Sequence, residues 1–258
     1  MTSCKTAKQD IIFSESDLAG LDKGNIPHHV AIIPDGNRRW AKGEQKATHE
    51  GYLYGADTLI RAVRAAKDLG IKILTVYTFS TENWLRPIAE VNALMKILED
   101  YLRDYQNNLV DLCIRFNIIG NLDLLPASLI KVINDTKEMT KGCTEFDLVL
   151  AVNYGSRDEI CRAVRKIVTD CLNQKISVDE LTEESIAHYL DTSSWPDPDL
   201  LIRTSGERRI SNFLLWQSSY SEVYTEEVVW PNFTPNHLLH AVRDYQRRQR
   251  RRGAGIIN

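Results

Sequence analysis

The 258-residue sequence predicts an α/β fold: one domain whose mostly parallel central sheet is flanked by helices. Three observations carry this. Short runs rich in Val, Ile, Leu and aromatics alternate with amphipathic stretches, the pattern of helical crossovers between strands. Several of those runs are apolar on consecutive positions, which suits strands buried on both faces of a parallel sheet. No linker divides the chain and no segment repeats, so residues 27–258 read as one domain with a basic C-terminal tail. Residues 1–26 are polar, dotted with Gly20 and Gly24, and read as a loosely ordered leader.

In chain order, the first strand is expected at His29–Ile33. The helix after it carries the stripe Leu53, Ala56, Leu59, Ile60, Val63, Ala66 and Leu69 at a 3.6 period and ends at Gly70, a residue suited to a left-handed C′ position. Ile71–Phe79 is the second strand. Pro87, well placed as a first helical residue, opens a long helix with the stripe Val91, Leu94, Met95, Leu98, Tyr101, Leu102 and Tyr105. That stripe is long enough to wall a cavity, although the same pattern serves as plain core. Strands are expected at Cys113–Ile119 and Phe146–Asn153, and helices near Pro126–Lys141 and Ser156–Leu172. The last of these is expected to turn Ile160, Val164, Ile167, Val168 and Cys171 inward. Leu200–Thr204 is a fifth strand, Glu222–Val229 an ambiguous sixth, and a helix near Pro235–Gln249 runs into arginines.

A hydrophobic fraction of 43% with 26% charged residues excludes disordered and fibrous classes. A chain of this length buries enough surface to hold a core without disulfide or metal. Thirty-two Lys+Arg against thirty-five Asp+Glu, a net charge of -3, argue against a nucleic-acid binder built on the whole domain, so any positive surface is local. The five cysteines, Cys4, Cys113, Cys143, Cys161 and Cys171, show no CxxC spacing and so indicate neither a disulfide framework nor a zinc ribbon. Cys113, Cys161 and Cys171 sit in apolar runs and read as small core residues. The N-terminus lacks an apolar signal-peptide core and no run approaches a membrane span, so a cytoplasmic location is expected.

P-loop, GxGxxG, GxSxG and HExxH signatures are absent. The chemistry-bearing residues instead gather at the C-terminal ends of expected strands, where open α/β sheets bind ligands. The first cluster, Asp35-Gly36-Asn37-Arg38-Arg39-Trp40, offers a tight turn into a helix whose free N–H groups can hold an anion. Its two arginines supply forks for phosphate oxygens, and Asp35 is a hard oxygen ligand of the kind Mg²⁺ takes alongside substrate phosphates. A plain Asp-Gly-Asn turn with solvated arginines is the structural alternative. The second cluster is Phe79-Ser80-Thr81-Glu82-Asn83-Trp84-Leu85-Arg86-Pro87, which reads equally as a helix cap or as a site. The third, Arg203 to Asn212, combines three arginines with the Ser205 and Ser211 hydroxyls, a donor set that fits a diphosphate. An exposed charged loop is the competing reading there. Glu222, further on, is a second candidate metal carboxylate. An Arg-rich, carboxylate-poor set of loops beside a long apolar helix points to a substrate with an anionic head and an apolar tail.

Together the stretches HVAIIPDGNRRWAK, YTFSTENWLRP and DLLIRTSGERRISNFLLWQSSYSEVYTEEVVWPNF resemble the cis-prenyltransferases, and within them the undecaprenyl diphosphate synthases, from about His29 to Gly253. The resemblance implies a non-Rossmann cis-prenyltransferase-like fold with a hydrophobic tunnel. It also implies a homodimeric enzyme that adds isopentenyl diphosphate to an allylic diphosphate, with Mg²⁺ as cofactor and a peripheral membrane contact at product release. By the same resemblance Asp35 holds Mg²⁺, with Glu222 sharing it, while Gly36, Asn37, Arg38, Arg39 and Trp40 bind the allylic diphosphate. Asn83 assists proton removal, and Ser80, Thr81, Glu82, Trp84 and Arg86 position substrate. Arg203, Arg209, Ile210 and Ser211 grip isopentenyl diphosphate, and Arg251 and Gly253 complete the partner's active site. A nucleic-acid tail competes for the six arginines between Arg243 and Arg252. Pro34, Thr48, Tyr52 and Arg208 stand where the family usually has Met, Arg, His and His, and the DDxxD pair of the all-helical trans-prenyltransferases is missing. A non-catalytic accessory subunit is the alternative within the family; the presence of Asp35, Asn83, Arg203, Arg209 and Ser211 argues for activity.

Overall fold

Alternation along the first strand sets the two faces of the sheet. Val30 and Ile32 of β1 (His29–Ile33) enter one apolar cluster, Ala31 and Ile33 the other. The computed structural model describes residues 12–250. It contains β2 (Ile73–Ser80), β3 (Ile114–Ile119), β4 (Phe146–Tyr154), β5 (Leu200–Arg203) and β6 (Glu222–Thr225). These form one six-stranded sheet in the order β3-β4-β2-β1-β5-β6, and every pairing is parallel. β1 to β5 fall within two residues of the expected positions, and the ambiguous sixth run forms a short parallel edge strand.

The helices are α1 (Glu15–Leu18), α2 (Asn37–Gly43), α3 (Thr48–Asp68), α4 (Ile88–Asp111), α5 (Ala127–Thr140), α6 (Ser156–Leu172), α7 (Glu183–Tyr189) and α8 (Pro235–Arg247). α3, α4, α5 and α8 bury Val63, Met95, Leu129 and Leu238 against Val30, Leu74, Val76 and Leu150 on one face of the sheet. The opposite face packs Ala31, Ile73, Val149 and Leu201 under Phe213 and Leu214 of the segment after β5. Because β1 lies between β2 and β5, the loops that leave those three strands meet at one edge of the sheet. β2 carries an irregularity just there. Its register against β4 shifts between Tyr77 and Phe79, so Thr78 is the extra residue of a bulge, as strands near sites commonly carry.

Three expectations are corrected. Of the leader read at residues 1–26, residues 1–11 lie outside the described residues and residues 12–26 instead pack on the body: Phe13 is 2% exposed, Arg243 donates to the Asp17 carbonyl, and Gln246 bonds Asp22 and Asn25. Helix α6 turns Ser156, Glu159, Ala163 and Ile167 inward and leaves Val164 and Val168 about half exposed. The polar Glu159 is affordable inside because Tyr154, Gln217 and the Asp191 backbone N–H all donate to it. Cys113 is buried as expected but is disulfide-bonded, which the cysteine spacing did not indicate, while Cys161 is exposed and Cys171 half-buried. Among the described residues no helix is long and apolar enough to cross a membrane.

Candidate active site

Asp35 follows β1 by two residues, and its position is fixed through its backbone. Its N–H donates to Thr204 Oγ1 at 2.8 Å, and its carbonyl accepts from Thr204 Oγ1, Ser205 Oγ and the Trp230 N–H. Gly36 then turns the chain into α2 with φ +106°; a Cβ there would lie 2.2 Å from Ser205 Oγ and 2.8 Å from Val229. Only glycine fits both the dihedral and the space.

The Asp35 carboxylate is bracketed by two guanidinium groups, with Arg203 Nη2 at 2.9 Å from Oδ2 and Arg39 Nη2 at 3.2 Å from Oδ1. Burial pushes its pKa up, but the hydrogen bonds and charges of Arg203 and Arg39 outweigh that and hold it below the usual carboxylate value. Arg203 is nearly buried and also donates to Ser211 Oγ at 2.8 Å and to the Arg209 carbonyl, while its Nε is buried without a partner. Arg39 reaches on to the Ser205 carbonyl and Glu207, and Glu207 pairs with Arg209.

Across the pocket, Asn83 caps the turn after β2: its Oδ1 accepts from the Ser80 N–H at 3.1 Å. The cap and the site are therefore the same residues. Glu82 accepts from Asn212 at 3.0 Å; burial raises its pKa, and the Asn212 bond with its neighbours brings it below the ordinary glutamate value. Arg86 donates to Tyr52 Oη at 2.8 Å and to Glu90 at 3.2 Å, and Tyr52 donates to Glu90 at 2.6 Å. Asp35, Asn37, Ser80, Glu82, Asn83, Arg86, Arg203, Arg209 and Ser211 thus line one polar pocket.

This pocket continues into an apolar cavity between α3, α4 and the sheet; Pro34, Asn37, Tyr52, Thr78 and Leu94 line both. Deeper in, Leu59, Val63, Leu98 and Leu102 face it. Much of each expected stripe on α3 and α4 therefore lines a hollow, and this is why Leu59, Ile60 and Leu94 are only partly buried.

Other expected residues lie outside the polar pocket. Trp40 donates to Asn232 at 3.0 Å and its ring lies 4.4 Å from that of Tyr54. Arg38 is exposed, 4.0 Å from Glu90. The Trp84 indole donates to Asn153 at 2.8 Å, and Ile210 packs under the sheet's second face. Glu222 lies apart from the pocket within one chain. It opens β6 opposite Leu200, at the far end of the sheet from Asp35, and pairs with Arg248 at 2.8 Å. Sequence reading had no register with which to place it. Arg251 and Gly253 lie outside the described residues.

Three contributors went unassigned from sequence: Thr204, Glu207 and Asn212. All three stood inside the third cluster. The loops also prove less poor in carboxylates than expected, because Glu82, Glu90 and Glu207 each pair with a named side chain.

Among the described residues no three metal-binding side chains converge. Asp35 can offer oxygen to a hard cation: two of its lone-pair positions are taken by arginines, others remain open, and its side chain is 27% exposed on the polar pocket. That donor set suits Mg²⁺, which binds through one or two carboxylates plus substrate phosphates.

Residues 33–253 match the family model described as putative undecaprenyl diphosphate synthase. The chain is 46% identical over 248 residues to the isoprenyl transferase of Chlamydia caviae, covering 94% of this chain and 99% of that one. Among solved structures it is similar to lavandulyl diphosphate synthase from Lavandula x intermedia in complex with dimethylallyl diphosphate, with TM-score 0.85 and 37% identity over 88% of this chain and 98% of that chain. A probable undecaprenyl diphosphate synthase from Campylobacter jejuni matches with TM-score 0.73 and 31% identity over the same shares.

Proposed function

The chain belongs to the undecaprenyl diphosphate synthase family of prenyltransferases, and from that premise we propose that it elongates an allylic diphosphate with isopentenyl diphosphate to a long-chain cis-polyprenyl diphosphate. The observation that carries this reading is the continuity of an arginine-lined polar pocket with an apolar cavity, which matches a diphosphate head and a growing hydrocarbon tail. Farnesyl diphosphate is the proposed primer, and undecaprenyl diphosphate, a lipid-carrier precursor for cell-wall glycans, a representative product.

In each cycle the C1–O bond of the allylic substrate breaks, its diphosphate leaves, and a C–C bond forms from C4 of isopentenyl diphosphate. A proton is lost from C2 to give the new double bond. Asp35, with the phosphate oxygens, would hold Mg²⁺, which supplies charge stabilisation for the leaving diphosphate. Arg39, Gly36 and Asn37 bind that diphosphate at the start of α2. Arg203, Arg209 and Ser211 hold the diphosphate of isopentenyl diphosphate, which must be retained rather than expelled. Asn83, turned toward the same pocket, assists removal of the proton. Glu222 is not proposed as a metal ligand within one chain, since it lies at the far end of the sheet. We further propose a cytoplasmic homodimer in which Arg251 and Gly253 complete the neighbouring site, with contact to the membrane surface as product leaves.

The test is incubation with farnesyl diphosphate, labelled isopentenyl diphosphate and Mg²⁺. Label extracted into butanol as a ladder of polyprenyl diphosphates is the expected result. No incorporation beside an active control enzyme would overturn the reading.

A further inference from the structure

Arg64 is the one charged side chain among the described residues that line the apolar cavity. It belongs to α3, is half-buried, and its Nε is buried with no hydrogen-bond partner. Its place along the cavity follows from the helices. Tyr52, near the start of α3, lines both the polar pocket and the cavity, so that end is the mouth. Twelve residues further along the same helix is Arg64, about 18 Å away at helical rise. At that depth α4 contributes Asn108 and Leu109, Leu112 follows at its C-cap, and Lys67, one turn beyond Arg64, donates to the Leu112 carbonyl. Arg64 therefore stands at the end of the cavity furthest from the arginine-lined pocket.

We propose that Arg64 is a specificity-determining residue that sets where chain growth stops. The inference rests on the elongation reading above. A growing chain gains favourable contact with each methylene it places against Leu59, Val63, Leu98 and Leu102. At Arg64 the balance reverses. A further unit must displace the arginine stem and press hydrocarbon against a guanidinium whose buried N–H already lacks an acceptor, and hydrocarbon supplies none. Charge at the floor, rather than depth alone, then limits the product.

The experiment compares product ladders from the wild type, Arg64→Met, Arg64→Lys and Arg64→Ala under identical farnesyl and isopentenyl diphosphate concentrations, with thermal melts to show that each variant folds. Methionine keeps the stem and removes the charge, so the peak product should lengthen by at least one five-carbon unit. Lysine keeps a cation and should leave the peak where it is; alanine should lengthen it at least as much as methionine. Unchanged ladders in Arg64→Met overturn the inference, whether or not Arg64→Ala lengthens the chain. A wild type that forms no polyprenyl product overturns the elongation reading itself, and is distinguished by the absence of any ladder to shift.

Discussion

Arg203→Met removes the side chain that joins Asp35, the proposed metal ligand, directly to Ser211 and the Arg209 backbone while nearly preserving volume. Arg203 makes three polar contacts: Asp35 Oδ2 at 2.9 Å, Ser211 Oγ at 2.8 Å and the Arg209 carbonyl. A charge-assisted hydrogen bond is worth about 1.5–3 kcal/mol, and such bonds are not additive when they share one group. Breaking a buried charge pair by removing one partner costs about 3–5 kcal/mol. Asp35 would keep only Arg39, whose side chain is 48% exposed and whose pairing is correspondingly screened. A loss of about 3–5 kcal/mol lowers Tm by roughly 6–20 °C in a protein of this size.

The kinetic consequence is separable from the thermal one. Below the variant's Tm, isopentenyl diphosphate loses a bidentate donor and kcat/KM for it should fall about ten- to hundredfold. Steady-state kinetics with each substrate varied in turn, alongside calorimetry, measure both. Arg203→Lys, which keeps charge but not the fork, should recover part of the thermal loss and little of the kinetic loss. A variant with unchanged Tm, or with equal kinetic losses on both substrates, would refute the assignment of Arg203 as the bridge.

Arg209→Ala should raise KM for isopentenyl diphosphate more than for farnesyl diphosphate, and Arg39→Ala should show the opposite bias; equal effects would mean that the two phosphate pockets are wrongly divided. Asp35→Ala should abolish turnover while the chain still folds, with a Tm loss of the same order as Arg203→Met because it breaks the same ion pair and leaves Arg203 uncompensated; near wild-type kcat at saturating Mg²⁺ would sink its proposed metal role. Deleting residues 251–258 should cut activity, and mixing that chain with Asp35→Ala should restore some turnover through mixed dimers, unless the tail does not act in trans. His29 supplies a pH test away from the site: burial drops its pKa to about 4 from an ordinary value near 6.5, with partners at Pro196 and Thr75. Below its unfolded pKa the unfolded chain takes the proton first, so stability contributed by His29 is present above about pH 6.5 and falls by roughly 3 kcal/mol on the way to pH 4; denaturant titrations of His29→Gln should lack that slope.

How far the sequence alone reached is clear from particular elements. The five strands were legible because a strand buried on both faces must be apolar at consecutive positions, and Val30 to Ile33 or Val149 to Val152 can be little else. The inward face of α6 was not legible. Ile160, Val164, Val168 and Leu172 repeat every four residues and form the more apolar ridge, yet the helix buries the ridge that carries Ser156 and Glu159. The compensation lies in Tyr154, Thr192 and Gln217, whose proximity no local pattern reveals. The place of Glu222 was hidden for a related reason: which end of a strand faces the pocket depends on pairing register. The convergence of the three loops on one pocket was legible because each directly follows a strand, and strand ends are where the topology concentrates ligand contacts.

The charge balance of the pocket bears on how substrates bind. Arg86, Arg203 and Arg209 line it together with Asp35 and Glu82, so the protein offers only a small surplus of positive charge. Two diphosphates bring far more negative charge than that surplus offsets, and their approach weakens every arginine–carboxylate pair they displace. In the reaction proposed above, the additional positive charge would arrive with a substrate, and the leaving diphosphate is the one that needs it at the moment its bond breaks. Asp35 sits just before the α2 N-terminus, with its carboxylate kept ionised by two guanidinium neighbours. On that proposal its charge would place the cation on the allylic diphosphate and not on the other. The arginine pairing supports the same division: Asp35 is held by Arg203 and Arg209 by Glu207, so the proposed second subsite would bind its diphosphate by exchanging ion pairs, without metal.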